Sequence, residues 1–173
     1  VASGTLRRGD RIVVQPAGTQ ATVKDLVTFD GSVDVAIAGD AVTVVLNEDV
    51  DASRGDVLSH VETDGTVTRQ FDAEICWLDT QALNPARKYL LKQGTRLTSA
   101  KIKSVVSGRD IHELLDVQEG TVQLAMNDIG RVVIATRDPL VVDPYDENAT
   151  TGAFILIDEA THQTAAVGKV GKA

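Results

Sequence analysis

Residues 7–16 read RRGDRIVVQP, and residues 53–62 read SRGDVLSHVE. In both stretches the tripeptide Arg-Gly-Asp stands directly before an apolar run, "RIVV" in one and "VLSH" in the other. Gly reaches positive φ without a Cβ penalty, and Asp bonds its own backbone, so the pair is suited to a reverse turn that feeds a strand. An adhesive loop would need an extracellular setting, which the composition does not favour. Arg8-Gly9-Asp10 and Arg54-Gly55-Asp56 are therefore read as turns, and the runs that follow them as strands.

The sequence around these turns keeps the same grammar. "RIVVQP", "QATVKDLVTF", "VDVAI", "AVTVVL" and "DVLSHVE" are short runs bounded by Gly, Asp or Pro. In "VDVAI", Val33, Val35 and Ile37 share one face while Asp34 and Ala36 take the other, with the first face expected to be buried. Five or six such strands without a helix predict a small closed barrel, which removes exposed strand edges. Near Asp64-Gly65 the pattern pauses, and "TVTRQFDAEICWLD" opens a longer strand. Later runs such as "KYLLKQG", "LTSAKIKSVVS", "GRVVIATRD" and "GAFILIDEA" are again strand-like. The one helical hint is "DIHELLDVQ", with Ile111, Leu114 and Leu115 at i, i+3 and i+4, and an extended reading of it is equally open. The expected fold is all-β, two consecutive small β-barrels spanning residues 1–67 and 68–173.

Composition agrees with that class. Of the 173 residues 43% are hydrophobic and only 3% aromatic, which suits cores of stacked Val, Ile and Leu strands. The net charge of −8 argues against a general nucleic-acid coat, since phosphate binding needs clustered Lys and Arg. Residues 1–67 hold five basic and eleven acidic side chains, and residues 68–173 hold twelve and fourteen. The second part contains one basic field: Arg87, Lys88, Lys92, Arg96, Lys101, Lys103 and Arg109 follow one another with no acidic residue from Gln81 to Gly108. Lys101 and Lys103 flank Ile102 and are expected to project outward from one strand face. Lys92, Arg96, Lys101 and Lys103 are the candidate partner interface, for an acidic partner, another domain or RNA; a merely solvated sheet face weighs about equally. The single Cys76 allows no intrachain disulfide, no apolar run approaches a membrane span, and a soluble, cytoplasmic protein without a membrane partner is expected. Val1 opens in strand-like sequence, which implies that the chain continues upstream.

The sequence offers no catalytic centre, no cofactor site and no metal site. No G-x-x-x-x-G-K-S/T loop is present to cradle phosphates, and the terminal "GKVGKA" lacks the spacing. "NEDVDASRGD" begins like a calcium loop with Asp49, Asp51 and Ser53, but Arg54 stands where Gly must bend the chain and His60 where a bidentate Glu belongs. "DPYDEN" reads as a turn. His60, His112 and His162 are far apart in sequence. Cys76, beside Trp77 and near Phe71 and Ile75, is read as a core residue.

The full set of segments resembles a known family. "GTLRRGD", "AGDAV" and "SRGD" are similar to the turns of the second domain of translation-factor-type GTPases. "FDAEICWLD", "YLLKQGTR", "LAMNDIGRVVIATRDPLVVDPYDEN" and "TGAFILIDEATHQTAAVG" resemble the third. More narrowly, "NDIG", "DPY" and "GAFILID" resemble the large, GTP-binding subunit family of sulfate adenylyltransferase (ATP sulfurylase). The resemblance implies a parent in which a GTPase domain carrying GTP and Mg precedes Val1. It also implies a smaller subunit that performs adenylyl transfer, and in some relatives a fused adenylylsulfate kinase. The parent couples GTP hydrolysis to formation of adenosine 5'-phosphosulfate from ATP and sulfate, and the barrels are expected to relay nucleotide state without catalysing. The competing reading is a translation elongation or release factor whose barrels hold tRNA or another translation partner.

Overall fold

The computed structural model describes residues 1–62, 65–109, 116–117 and 123–171. The chain divides into two compact units, Val1–Thr66 and Val67–Ala173. Strands dominate both. The single described helix, α1 (Ala149–Gly152), is one turn capped by Asn148, whose side chain accepts the Thr150 N–H.

In the first unit β2 (Arg11–Gln15) pairs with β3 (Thr19–Thr28) on one side and β7 (Val57–His60) on the other. The far half of β3 pairs with β4 (Gly31–Val33) and with β6 (Thr43–Leu46), completing a five-stranded sheet. β1 (Thr5–Arg7) and β5 (Val35–Ile37) form a separate two-stranded ribbon. This unit is a half-barrel rather than the closed one that its pattern predicts, because most of its strands are three to five residues long and pair on one side only. Its core is small: Ile12, Ala21, Val23, Leu26 and Ala36 are buried, with Leu6, Val44 and Leu46 packed around them.

"VDVAI" departs from the simple alternation. The Arg8 N–H bonds the Asp34 carbonyl at 3.2 Å and the Arg8 guanidinium reaches the Asp34 carboxylate at 3.4 Å. The run therefore breaks at Asp34 into β4 and β5, which lie in different sheets. Beyond the break the faces are reversed: Ala36 is fully buried and Ile37 is 56% exposed.

The Gly-Asp turns share one construction, used four times among the described residues. The N–H groups of Arg7, Ile37, Ser53 and Ala125 donate to the carboxylates of Asp10, Asp40, Asp56 and Asp128, three residues on, at 2.7, 2.8, 2.8 and 2.8 Å. The same aspartates close the turn through their own N–H to the carbonyl three residues back, at 3.0 to 3.2 Å. Such turns need positive φ at the third position. Gly9, Gly39 and Gly55 supply it at 86°, 98° and 99°, and Asn127, the side chain that best tolerates it, at 75°. Both Arg-Gly-Asp copies are turn devices, as the sequence indicates.

The second unit closes. β8 (Thr66–Trp77), β9 (Tyr89–Gln93), β10 (Arg96–Arg109), β12 (Ile129–Val142), β13 (Ala153–Asp158) and β14 (Thr164–Val170) run in the order β10-β12-β8-β14-β13-β9, and β9 pairs back onto β10. A two-residue strand, β11 (Asp116–Val117), adds to the end of β10. Nineteen buried residues fill the barrel. Trp77 meets Tyr89, and Phe71 meets Phe154, edge to face at centroid distances of 5.7 Å. The segment holding Ile111, Leu114 and Leu115 lies outside the described residues.

Candidate partner interface

The basic field runs from Arg87 and Lys88, just before β9, through the β9–β10 hairpin to Arg109 at the end of β10. Arg87 is consumed structurally: it donates to Asp158 at 2.9 Å, and Asp158 is buried and also accepts the N–H groups of Ala160 and Thr161. The Thr161 N–H, with those of Ala160 and the Arg87 guanidinium, outweighs the cost of burial and holds the Asp158 carboxyl below the ordinary aspartate value. Arg96 is half-buried near Asp138. That carboxyl is held low by the Arg137 guanidinium first and the Thr98 hydroxyl second, with Arg96 adding charge.

Lys92, Lys101 and Lys103 are exposed, and Ile102 between the latter two is buried, so these side chains point outward. Lys103 is the extra residue of a bulge, since Ile102 and Ser104 oppose consecutive partners on β12. The four candidates do not form one cluster. Lys92 opposes Leu97, so Lys101 lies four positions along β10 from it, roughly 13 Å at strand rise.

Register places Lys92 in a different company. Reading across the outer surface, Leu97 opposes Lys92, Lys92 opposes Ile155, Ile155 opposes Val167, and Val167 opposes Cys76. Directly opposed residues share a face, so this row crosses five strands as an apolar stripe with one cation. Leu97 and Val167 are 52% and 41% exposed. An open groove of about 700 Å³ is lined by Lys92, Ile155, Val167 and Cys76 of this row, and also by Tyr145. Cys76 is thus half-buried on the outer face rather than in the core, because Ile75 and Trp77 take the inward positions. The sequence contains each member of the row, but the neighbours of a strand in a barrel cannot be read from its own pattern.

The remaining candidates from the sequence serve the fold. Asp49 and Asp51 are exposed between β6 and β7. Asp143 accepts the Thr151 hydroxyl and the Asn148 amide, which fixes the approach to α1. His60 bonds Asp10 at 3.0 Å, and His162 sits at φ 59° in the β13–β14 turn. His112 lies outside the described residues. Among the described residues no three His, Cys, Asp or Glu side chains gather as a metal would require, and no helix is long and apolar enough to cross a membrane.

Comparison with known proteins fits this architecture. The family model for Elongation factor Tu domain 2 matches residues 1–59, and that for the GTP-eEF1A C-terminal domain-like family matches residues 70–171. The chain belongs to the GTP-eEF1A C-terminal domain-like family, whose model covers more than half of it. Among curated proteins, those similar to it include sulfate adenylyltransferase subunit 1 of Bacteroides fragilis, 37% identical over 98% of this chain. The bifunctional enzyme CysN/CysC of Mycobacterium tuberculosis is 39% identical over 98% of it. The chain spans 35% and 28% of the lengths of these two relatives. Among solved structures, sup35 complexed with GMPPNP superposes at a TM-score of 0.87, covering 99% of this chain and 42% of that one at 19% identity. That likeness concerns the fold of the family's barrels.

Proposed function

We propose that these barrels, which we assign to residues 1–67 and 68–173, are the non-catalytic part of the GTPase subunit of a sulfate adenylyltransferase. In this reading the parent enzyme couples GTP hydrolysis to the attack of sulfate on the α-phosphorus of ATP, forming adenosine 5'-phosphosulfate and releasing pyrophosphate. The observation that carries it is the gap in identity: 35–38% to sulfate adenylyltransferase subunit 1 relatives over nearly the whole chain, against 19–20% to translation factors of the same fold.

GTP and Mg belong to the GTPase portion of the parent, and the sequence of this chain carries no phosphate loop to hold them. The residues present do not fit that group, so no chemical step is assigned to them. Adenylyl transfer falls to a smaller partner subunit in the cytoplasm, and in fused relatives an adenylylsulfate kinase follows the second barrel. The barrels supply rigid surfaces whose contacts differ between nucleotide states, which is what a relay requires. Lys92, Arg96, Lys101 and Lys103 are proposed to face a partner.

The test is a chimera in which this chain replaces the corresponding barrels of the Bacteroides fragilis relative. With the smaller subunit of that enzyme, GTP-dependent pyrophosphate release from ATP and sulfate is expected to be retained. A folded chimera that lacks this activity, together with tRNA binding that falls steeply with salt, would move the chain to the translation reading.

A further inference from the structure

The stripe Leu97–Lys92–Ile155–Val167–Cys76 has no role inside the barrel. The core is complete beneath it: Leu91, Leu156, Ala166, Ile75 and Trp77, the inward neighbours of its members, are at most 1% exposed. The adjoining row adds Leu90 and Ile157, opposed across β9 and β13, with Ser99 beside them on β10. A contiguous aliphatic patch of this kind on an outer sheet face marks an interaction site.

Its charge prescribes the occupant. Lys92 stands inside the row with no ion-pair partner among the described residues. Glu74, the one carboxylate lining the groove, is already held by Lys169 at 3.0 Å. Covering Lys92 with apolar surface alone would strand a charge, which is costly unless the cover brings its own carboxylate. Further along β10, Lys101 and Lys103 extend the positive character. Nucleic acid fits the stripe poorly, since aliphatic rather than aromatic or clustered basic side chains line it.

We propose that this stripe is the docking face for the smaller subunit, which engages it through an aliphatic segment carrying a carboxylate opposite Lys92. This rests on the sulfate adenylyltransferase reading. Val167 and Ile155 form the centre of the contact, and Lys92 selects the partner by charge.

The chimera described above tests it without mutation, because Cys76 lines the groove. Adding the smaller subunit should slow maleimide modification of Cys76, followed by peptide mass, at least tenfold. Val167→Glu should weaken subunit affinity at least tenfold and Lys92→Glu by about as much, while Lys92→Arg keeps it. Both altered positions are exposed, and a far-UV spectrum matching the unaltered protein verifies folding. An active chimera whose Cys76 reacts at the same rate with and without the subunit, and whose affinity ignores both charge changes, overturns the docking face and leaves the functional reading intact. A chimera that does not bind the subunit at all overturns both. Protection of Cys76 by tRNA in place of the subunit would assign the face to nucleic acid and overturn the proposal.

Discussion

The two units solve the same problem with different means. In the barrel of β8–β14, nineteen buried residues and two edge-to-face aromatic pairs supply the stability. In the half-barrel the core cluster holds only five small or aliphatic residues, and side-chain carboxylates bonded to the backbone take on much of the organisation. Asp10, Asp40 and Asp56 close turns, Glu48 accepts the Thr22 N–H at 2.7 Å, and Asp25 accepts the Leu26 N–H at 2.9 Å. A small core leaves the fold dependent on geometry that charge enforces, whereas a large one tolerates variation at its turns.

The sharpest way to break this comparison is a matched pair of truncations. Leu156→Ala and Leu26→Ala both remove fully buried side chains, one from each unit. Each is expected to cost about 2–5 kcal/mol. Trp77, the sole tryptophan, reports on the second unit alone, so its fluorescence melt should drop for Leu156→Ala and hold for Leu26→Ala, while circular dichroism registers both. Equal effects of both changes on Trp77 would show that the units do not keep separate accounts.

A smaller effect is expected at Gly168. A Cβ there would lie 2.3 Å from the Phe154 ring, so Gly168→Ala must displace a side chain that is only 5% exposed. The expected cost is about 1–3 kcal/mol, read from the Trp77 melt. An unchanged melt would mean that the barrel interior yields more readily than its packing implies.

The smallest effect is the acid response of the half-barrel. Burial of Asp10 would raise its pKa, but the His60 hydrogen bond and the Arg7 N–H outweigh it, and the net direction is down from the ordinary 3.8. The Ser32 hydroxyl chiefly lowers Asp25, and the Thr22 N–H chiefly lowers Glu48. A depressed folded-state value stabilises fully above the unfolded value and fades as pH falls through the folded one, so these contributions are lost below about pH 4. Circular dichroism should begin to change at higher pH than Trp77 fluorescence. Asp10→Asn at neutral pH should cost about 1 kcal/mol and shrink that offset. Coincident acid transitions would contradict the division drawn here.

How far the sequence could be read depended on the range of the interaction. The Gly-Asp turns were legible because four consecutive residues contain the whole device, and Lys101-Ile102-Lys103 because strand alternation is local. "VDVAI" misled because Arg8, some 26 positions upstream of Asp34, bends it. Cys76 misled for a related reason: a run of apolar letters does not say which of them face in. The candidate interface was half visible. Charge singled out Lys92, but its setting among Ile155 and Val167 depends on which strands are neighbours in the closed ring.

Closure of that ring has a further consequence for evolution and design. Among the described residues each of the six strands has a hydrogen-bonded neighbour on both sides, and where a stretch is paired on both edges a visiting chain cannot be captured by adding a strand. Whatever such a stretch binds, it must bind through side chains. Its specificity can therefore be rewritten residue by residue, or transplanted onto a sibling barrel, without disturbing the hydrogen-bonded frame that presents it.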